Sequence, residues 1–303
     1  MPDGRAMKQK TWSVAAAAWR MVGAALLLLL MMPSTASAVS CSGSFGTDNL
    51  GLYRGVLLSA GTTPGSITCP RNFSYSIGFS AGTGSGATTT LRKMTGPNGA
   101  TLNYRVFQDS AYTVNWGNTN RGDAKSGIGT GGAQSVPVYA QIPANQFVAP
   151  GTYQDTITVT VFNTSPLTTF TFGVVAVVQA ACTISATPLA FGNYMAVQKD
   201  TTGTLTVTCT NTTPYNVGLS VGLAPGATVR TRAMTGPGAE TLNYAIFRDS
   251  TRSINWGNTV GTDTLVGQGT GSTQSLSVYG RIPAGQNRRP GSYADTVIAT
   301  IAY

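Results

Sequence analysis

The sequence predicts an all-β protein made of two tandem sandwich domains, and three features support this prediction. Only 10% of the 303 residues are charged, and Thr, Ser, Gly and Val are abundant, a composition typical of strands and turns. No long stretch repeats its apolar residues at the period of 3.6 that marks an amphipathic helix. The second half of the chain also repeats the first, so the same fold is expected twice.

Residues 1–38 predict a secretory signal peptide. Lys8 and Lys10 precede an apolar run at 21–32, and residues 36–38 read Ala-Ser-Ala, a small-residue exit typical of cleavage sites. The apolar run is too short to span a bilayer. We therefore expect cleavage after Ala38 and export of the remaining chain.

The charge of the exported part does not predict a nucleic-acid partner. Without the leader the chain keeps 15 of its 19 basic residues and 9 of its 10 acidic residues, a net charge of +6. These basic residues are scattered and form no run among aromatic residues, whereas nucleic-acid-binding proteins concentrate them on one face or along one helix.

The internal repeat has an offset of 140 residues. MTGPNGATLNYRVFQDS at 94–110 matches MTGPGAETLNYAIFRDS at 234–250, and PGTYQDTITVTV from Pro150 matches PGSYADTVIATI from Pro290. Each unit has about 120 residues, in which Gly and Pro break the apolar runs into strand-sized pieces. This pattern is typical of a β-sandwich of immunoglobulin-like type. We therefore predict one domain at 39–180 and a second at 181–303.

Four cysteines in an exported chain predict two disulfides, for which three connectivities are possible. The repeat places one pair in each unit and selects Cys41 with Cys69 and Cys182 with Cys209. Each bridge closes a loop of under thirty residues and is expected to contribute about 3 kcal/mol.

The first unit carries one strand that the second lacks. Each unit already ends in a strand of its own, yet FTFGVVAVVQ at 170–179 follows the first unit and alternates at period two. One face of this extra strand is predicted to be buried. Its residues are Phe170, Phe172, Val174, Ala176 and Val178.

The second unit ends at its own last strand, 296–303, with nothing after it to cover that strand. A sandwich without its final strand leaves unpaired backbone groups and an open apolar groove. We therefore predict an open groove in the second domain, edged by Val297, Ala299, Ile301 and Tyr303.

The paired cysteines and the motifs NYxxFxDS, NWGNT, xVYxxIP and PGxYxDT resemble the spore coat protein U family, over nearly all of the chain after the leader. Members of that family are subunits of archaic, Csu-type chaperone-usher pili. The resemblance implies a pilin-type sandwich that a periplasmic chaperone holds incomplete. A donor strand from the adjacent subunit then completes it by strand addition.

The resemblance further implies a place at the pilus tip. Shaft subunits carry their donor strand ahead of the first cysteine, whereas only Val39 and Ser40 lie between the expected cleavage site and Cys41. The extra strand at 170–179 is then expected to complete the first domain in cis. The expected partners are the chaperone, an outer-membrane usher, the adjacent subunit, and an abiotic or host surface. The expected function is attachment and biofilm formation at the cell surface.

Two other functions remain open from the sequence. One is a structural component of a spore coat or surface layer, which would assemble without a chaperone. The other is a carbohydrate-binding module, which would lose glycan binding when surface Trp or Tyr residues are changed.

A loop of the first domain is the candidate surface-binding site. Residues 145–150 read NQFVAP, whereas 285–290 read GQNRRP, so the loop that carries Phe147 and Val148 in the first copy carries Arg288 and Arg289 in the second. Exposed apolar residues at a loop tip predict contact with a hydrophobic surface. The alternative is that Phe147 packs against its own domain.

Catalytic and metal chemistry are not predicted. The chain has no histidine, no G-x-S-x-G motif and no thiol beyond the expected disulfides. Trp116, Trp256, Tyr104 and Tyr244 occur in both copies, which favours a role in the core over sugar stacking. No enzyme activity, catalytic residue, metal site or cofactor is therefore expected.

Overall fold

The structure is a computed structural model that describes residues 40–61, 65–118 and 122–303. The predicted leader lies outside these residues. Apart from two short 3-10 turns, the regular secondary structure of the described chain consists of β-strands, so the predicted all-β class is confirmed. Among these residues no helix has the length and apolar character needed to cross a membrane.

The strands between Ser42 and Val178 form the first sandwich. They are β1 (Ser42–Ser44), β2 (Asp48–Tyr53), β3 (Leu58–Gly61), β4 (Gly65–Thr68), β5 (Ser74–Phe79), β6 (Arg92–Thr95), β7 (Thr101–Phe107), β8 (Lys125–Ile128), β9 (Ala133–Val136), β10 (Tyr139–Ile142), β11 (Gly151–Phe162) and β12 (Pro166–Val178). One sheet has the order β1-β4-β9, and the other has the order β2-β12-β11-β6-β7-β10-β3, with β5 pairing β11 and β8.

The strands between Cys182 and Ala302 form the second sandwich. They are β13 (Cys182–Ala186), β14 (Lys199–Cys209), β15 (Pro214–Leu219), β16 (Arg232–Thr235), β17 (Thr241–Phe247), β18 (Leu265–Gln268), β19 (Thr273–Ile282) and β20 (Ala299–Ala302). Its sheets have the orders β13-β14-β19-β17-β16 and β18-β15-β20, and no described strand belongs to both sandwiches. A short 3-10 turn precedes β7 at Pro97–Gly99 and β17 at Pro237–Ala239.

A proline explains one difference between the copies. The second sandwich has one long strand, β19, where the first has the two short strands β9 and β10. The gap between β9 and β10 contains Pro137, whereas the corresponding residue within β19 is Ser277. Proline has no N–H to donate to a ladder, so the strand breaks there.

Each sandwich contains the same buried pair of an arginine and a tryptophan. Arg92 is fully buried, and its guanidinium donates hydrogen bonds to the carbonyls of Phe79, Ser80, Thr89 and Trp116 at 2.6–3.1 Å. Arg232 makes the equivalent set of four bonds in the second copy. A guanidinium has five N–H groups, and in each copy four hydrogen bonds to backbone carbonyls hold the buried group.

The disulfides join Cys41 to Cys69 and Cys182 to Cys209, which are the pairs that the repeat selects. The second bridge joins the first residue of β13 to the last residue of β14, and the first bridge joins the residues just before β1 and just after β4. Cys182 is the first residue of β13 and lies four residues after β12 ends at Val178, so this bridge ties down the start of the second sandwich.

Candidate functional site: the groove beside the last strand

Strand β12 lies inside a sheet of the first sandwich, between β11 and β2. It pairs antiparallel with β11 from Gly151↔Val178 to Phe162↔Pro166, and parallel with β2 from Val174↔Asp48 to Val178↔Tyr53. The strand begins at Pro166, four residues before the start of the predicted strand at 170–179. The earlier start follows from a tight β11–β12 hairpin that extends the ladder beyond the apolar residues.

The alternation predicted for this strand matches the observed burial. Phe172, Val174, Ala176 and Val178 are buried, and Phe170 is half-buried against the core. The Phe172 ring packs against Phe45 and Phe79, with ring centroids 5.8 and 5.3 Å apart. β12 therefore supplies part of the hydrophobic core of the first sandwich.

The second sandwich has no strand at the equivalent place. The counterpart of β11 is 291–302, of which only β20 is a strand, and the counterpart of β2 at 189–194 is irregular. The correspondence is fixed by matching hydrogen bonds, because the hydroxyls of Tyr53 and Tyr194 both donate to a proline carbonyl at 2.6 Å. The two segments that sandwich β12 in the first copy therefore lack a partner between them in the described chain.

The missing strand exposes the inner face of the last strand. In the first sandwich Tyr153, Ile157, Val159 and Val161 are fully buried. Their counterparts Tyr293, Val297, Ala299 and Ile301 are only half-buried. Tyr303 is 59% exposed.

Two adjoining cavities occupy the space between these segments. One has a volume of about 500 Å³ and the other about 830 Å³, and both are bordered by Leu189, Phe191, Met234 and Tyr293. The smaller cavity also reaches Val297 and Ala299, two of the residues that were predicted to edge the groove. Apolar side chains therefore line a continuous cleft along the last strand.

A tyrosine–aspartate hydrogen bond lies beside this strand in both copies. The Tyr104 hydroxyl donates to Asp155 at 2.7 Å, and the Tyr244 hydroxyl donates to Asp295 at the same distance. Burial, followed by the adjacent carboxylate, raises the pKa of both phenols well above the ordinary value. The duplicated tyrosines are therefore structural hydrogen-bond donors.

The duplicated tryptophans also belong to the core. Trp116 and Trp256 are fully buried, and each indole N–H donates to a backbone carbonyl, that of Ile77 and Val217 respectively. Neither ring has a free face on which a sugar could stack.

Asp48 is a buried residue that the sequence analysis missed. It lies on β2 directly beside Val174 of β12, is 5% exposed, and burial raises its pKa to about 7. Its counterpart in the second copy is Leu189. The sequence did indicate this burial, because Asp48 lies two residues before Leu50 and residues two apart on a strand point to the same side.

The loop with Phe147 and Val148 lies at the junction of the two sandwiches. The Phe147 carbonyl accepts a hydrogen bond of 2.9 Å from the Asn211 amide, beside the Cys182–Cys209 bridge. Both apolar side chains are half-buried, and Val148 packs against the core of its own sandwich. The Phe147 ring lies beside Gly55 of its own sandwich, which agrees with the alternative that Phe147 packs against its own domain, and contact of this loop with a surface stays a prediction.

No group of three or more potential metal ligands occurs in the described part of the chain. Gln286, Arg288 and Arg289 add polar groups at the larger cavity, and the cleft along the last strand offers mainly apolar side chains and backbone groups. An occupant that uses both is an extended peptide strand.

Comparisons with known proteins agree with this architecture. Residues 28–160 and 168–300 each match the Spore Coat Protein U domain. Protein U of Myxococcus xanthus is 38% identical over 121 residues, which are 38% of this chain and 67% of that protein.

Among solved structures, the chaperone–tip adhesion subunit pre-assembly complex CsuC–CsuE from the archaic Csu pili of Acinetobacter baumannii has a similar fold. The TM-score is 0.53 at 19% identity, covering 87% of this chain and 100% of the matched chain. With both halves of the sequence matched by one domain family, the chain belongs to the Spore Coat Protein U domain family and contains two copies of its domain.

Proposed function

We propose that the chain is a subunit of a chaperone-usher pilus that is assembled by strand exchange and is placed at the fibre tip. The observation that carries this proposal is the contrast between the two grooves: β12 fills the first, whereas the second is open. The first sandwich then needs no partner strand. The second is completed by an extended strand from the adjacent subunit, with backbone pairing along 291–302.

Before assembly, the open groove requires a protector. Unpaired strand edges and exposed apolar side chains favour aggregation. A periplasmic chaperone that pairs with the same edge meets this need, and the structurally similar tip adhesion subunit from A. baumannii was solved in a pre-assembly complex with a chaperone. Transfer of the subunit from the chaperone to an outer-membrane usher and then to the cell surface follows in this proposal.

A backbone detail supports an end position for the first sandwich. The Thr210 amide donates to the Ala181 carbonyl at 2.9 Å, and the Ala181 amide donates to the Thr210 hydroxyl at 3.1 Å. These bonds anchor the segment that enters the second sandwich from β12. The first sandwich has Pro70 in place of Thr210, and proline has no N–H with which to form this anchor.

At the tip, the first sandwich presents the end opposite the junction. That end contains the β11–β12 hairpin and the β8 end, where Ile128 is 62% exposed. We propose that this end contacts an abiotic or host surface and so mediates attachment and biofilm formation. The role is structural and adhesive, without a catalysed reaction.

The experiment measures how many strands the chain binds and where. Two synthetic peptides with the sequence of residues 166–179, one unchanged and one with F170A, are added to the full exported chain. Native mass spectrometry then counts the bound equivalents. Hydrogen exchange locates them, with new protection expected at 189–194 and 291–302 only. Two bound equivalents, or protection at 151–162, would contradict the proposal.

A coat component is the second candidate, because the matched domain is named for spore coat protein U. The distinguishing measurement is the yield of the exported chain in cells with and without the chaperone of the same assembly system. A pilus subunit should be degraded without its chaperone. An unchanged yield, together with an absence of peptide binding, would favour a self-sufficient coat protein.

A further inference from the structure

We propose that the groove of the second sandwich selects its strand by side-chain size. It takes a small residue at the position that Phe170 holds in β12, so the strand that fits comes from a different chain and not from β12 of a second copy. This inference rests on the proposed function, since it concerns the strand that the same groove binds.

One position of the strand has the same surroundings in both grooves. Ala176 pairs with Tyr153 on one side and Gly51 on the other. The corresponding residues of the second groove are Tyr293 and Gly192, and both glycines have positive φ, at +94° and +68°. Alanine therefore has equivalent neighbours at this position in either groove.

The space at the position of Phe172 is also the same size in both grooves, because two substitutions in the surrounding residues compensate for each other. In the first sandwich the ring of Phe45 lies so close over Gly65 that a Cβ there would be 2.1 Å from the ring. The second sandwich has Ala186 and Leu205 at these positions, so the volume lost from one residue is regained by the other. A bulky apolar side chain still fits between them.

The position of Phe170 does not keep its size. The Phe170 ring covers Gly43 of β1, where an added Cβ would be 3.1 Å from the nearest ring carbon. The second sandwich has Ile184 at this place, as the registers Gly43↔Ile67 and Ile184↔Val207 show. The isoleucine side chain occupies the space that the phenyl ring uses in the first sandwich.

The opposite wall offers only partial relief. Val159 is the cross-strand partner of Phe170, and its counterpart is Ala299. The missing methyl groups free less space than a phenyl ring fills. A strand with Phe at this position must therefore shift or displace Ile184, and overpacking of this kind typically costs about 1–3 kcal/mol.

The test compares the two peptides of residues 166–179 on the full exported chain, by titration with fluorescence anisotropy. The F170A peptide is expected to bind about tenfold more tightly than the unchanged peptide, a fold-change that corresponds to about 1.4 kcal/mol, near the lower end of the overpacking cost. The I184G chain should bind both peptides with similar affinity, because the space for the ring is restored. The matched control is T183G, whose side chain is exposed on the other face of β13 and should preserve the tenfold preference.

The outcomes separate the two proposals. Equal affinity of both peptides for the unchanged chain, or a preference that survives in I184G, would overturn the size selection while leaving strand binding intact. Absence of binding by either peptide would refute the proposed function and the selection with it. Circular dichroism of I184G and T183G establishes that both variants remain folded, so a lost preference reports on the groove.

Discussion

Replacing Phe172 by alanine is expected to destabilise the first sandwich and to leave the second unchanged. The side chain is 5% exposed and packs against the rings of Phe45 and Phe79. Buried Phe→Ala changes cost about 3–5 kcal/mol of stability. This total includes about 0.5–1.5 kcal/mol for each aromatic pair that is lost. We expect a loss of about 4 kcal/mol, or roughly 10–20 °C in the melting temperature of the first sandwich.

Intrinsic fluorescence can resolve the two sandwiches. Outside the predicted leader, the chain has one tryptophan in each: Trp116, which stacks on Phe79 at 4.1 Å, and Trp256. Urea melts of F172A are therefore recorded in a W256F background for the first sandwich and in a W116F background for the second. Each background serves as its own reference without F172A.

The control is T171A, which changes an exposed residue of the same strand and should alter the free energy of unfolding by less than about 0.5 kcal/mol. Two results would refute the reasoning. One is a loss of unfolding free energy below about 1 kcal/mol for F172A, measured by the Trp116 signal, because a cavity of that size in the core should cost more. The other is an equal loss in both tryptophan signals, which would mean that β12 does not belong to the first sandwich alone.

Three further predictions concern the same core. Burial raises the pKa of Asp48 from 3.8 to about 7, so the first sandwich should be most stable below about pH 4 and lose up to about 4 kcal/mol as the pH rises through 7. In urea melts at several pH values, the D48N variant should lack this dependence of unfolding free energy on pH. The same dependence in D48N would contradict the prediction. The R92K variant should lose about 2–4 kcal/mol of stability in thermal melts, because a lysine ammonium cannot reach the four carbonyls that Arg92 bonds. An unchanged stability would show that these four hydrogen bonds are dispensable. Removal of one bridge in C41S/C69S should cost about 3 kcal/mol in the Trp116 signal only, and an equal shift in the Trp256 signal would contradict the independence of the bridges.

The sequence contained enough information for the elements that depend on local pattern. The alternation in 170–179 predicts which side chains of β12 are buried, because a strand presents successive residues to opposite faces. The repeat predicts the disulfide pairs, since each copy must close its own loop.

Features that depend on packing between segments were not predictable in this way. The Phe147 carbonyl bonds Asn211, 64 residues later in the sequence, and its ring lies beside Gly55, far earlier, and no local pattern encodes either contact. The burial of Asp48 likewise requires β12 to lie beside β2 in parallel, a pairing between distant segments. The size limit at Ile184 emerges only when the registers of the two copies are compared residue by residue.

The path of the chain from β12 into β13 has a mechanical consequence. A tensile load on the second sandwich reaches the first through residues 179–181 and pulls β12 along its own axis. Its backbone hydrogen bonds to β11 run perpendicular to that axis, over the whole register from Gly151↔Val178 to Phe162↔Pro166, so the load shears them together rather than peeling them one by one. A tether anchored in this way should resist extraction until many bonds fail at once. Force spectroscopy would register this as a single high rupture peak for the first sandwich.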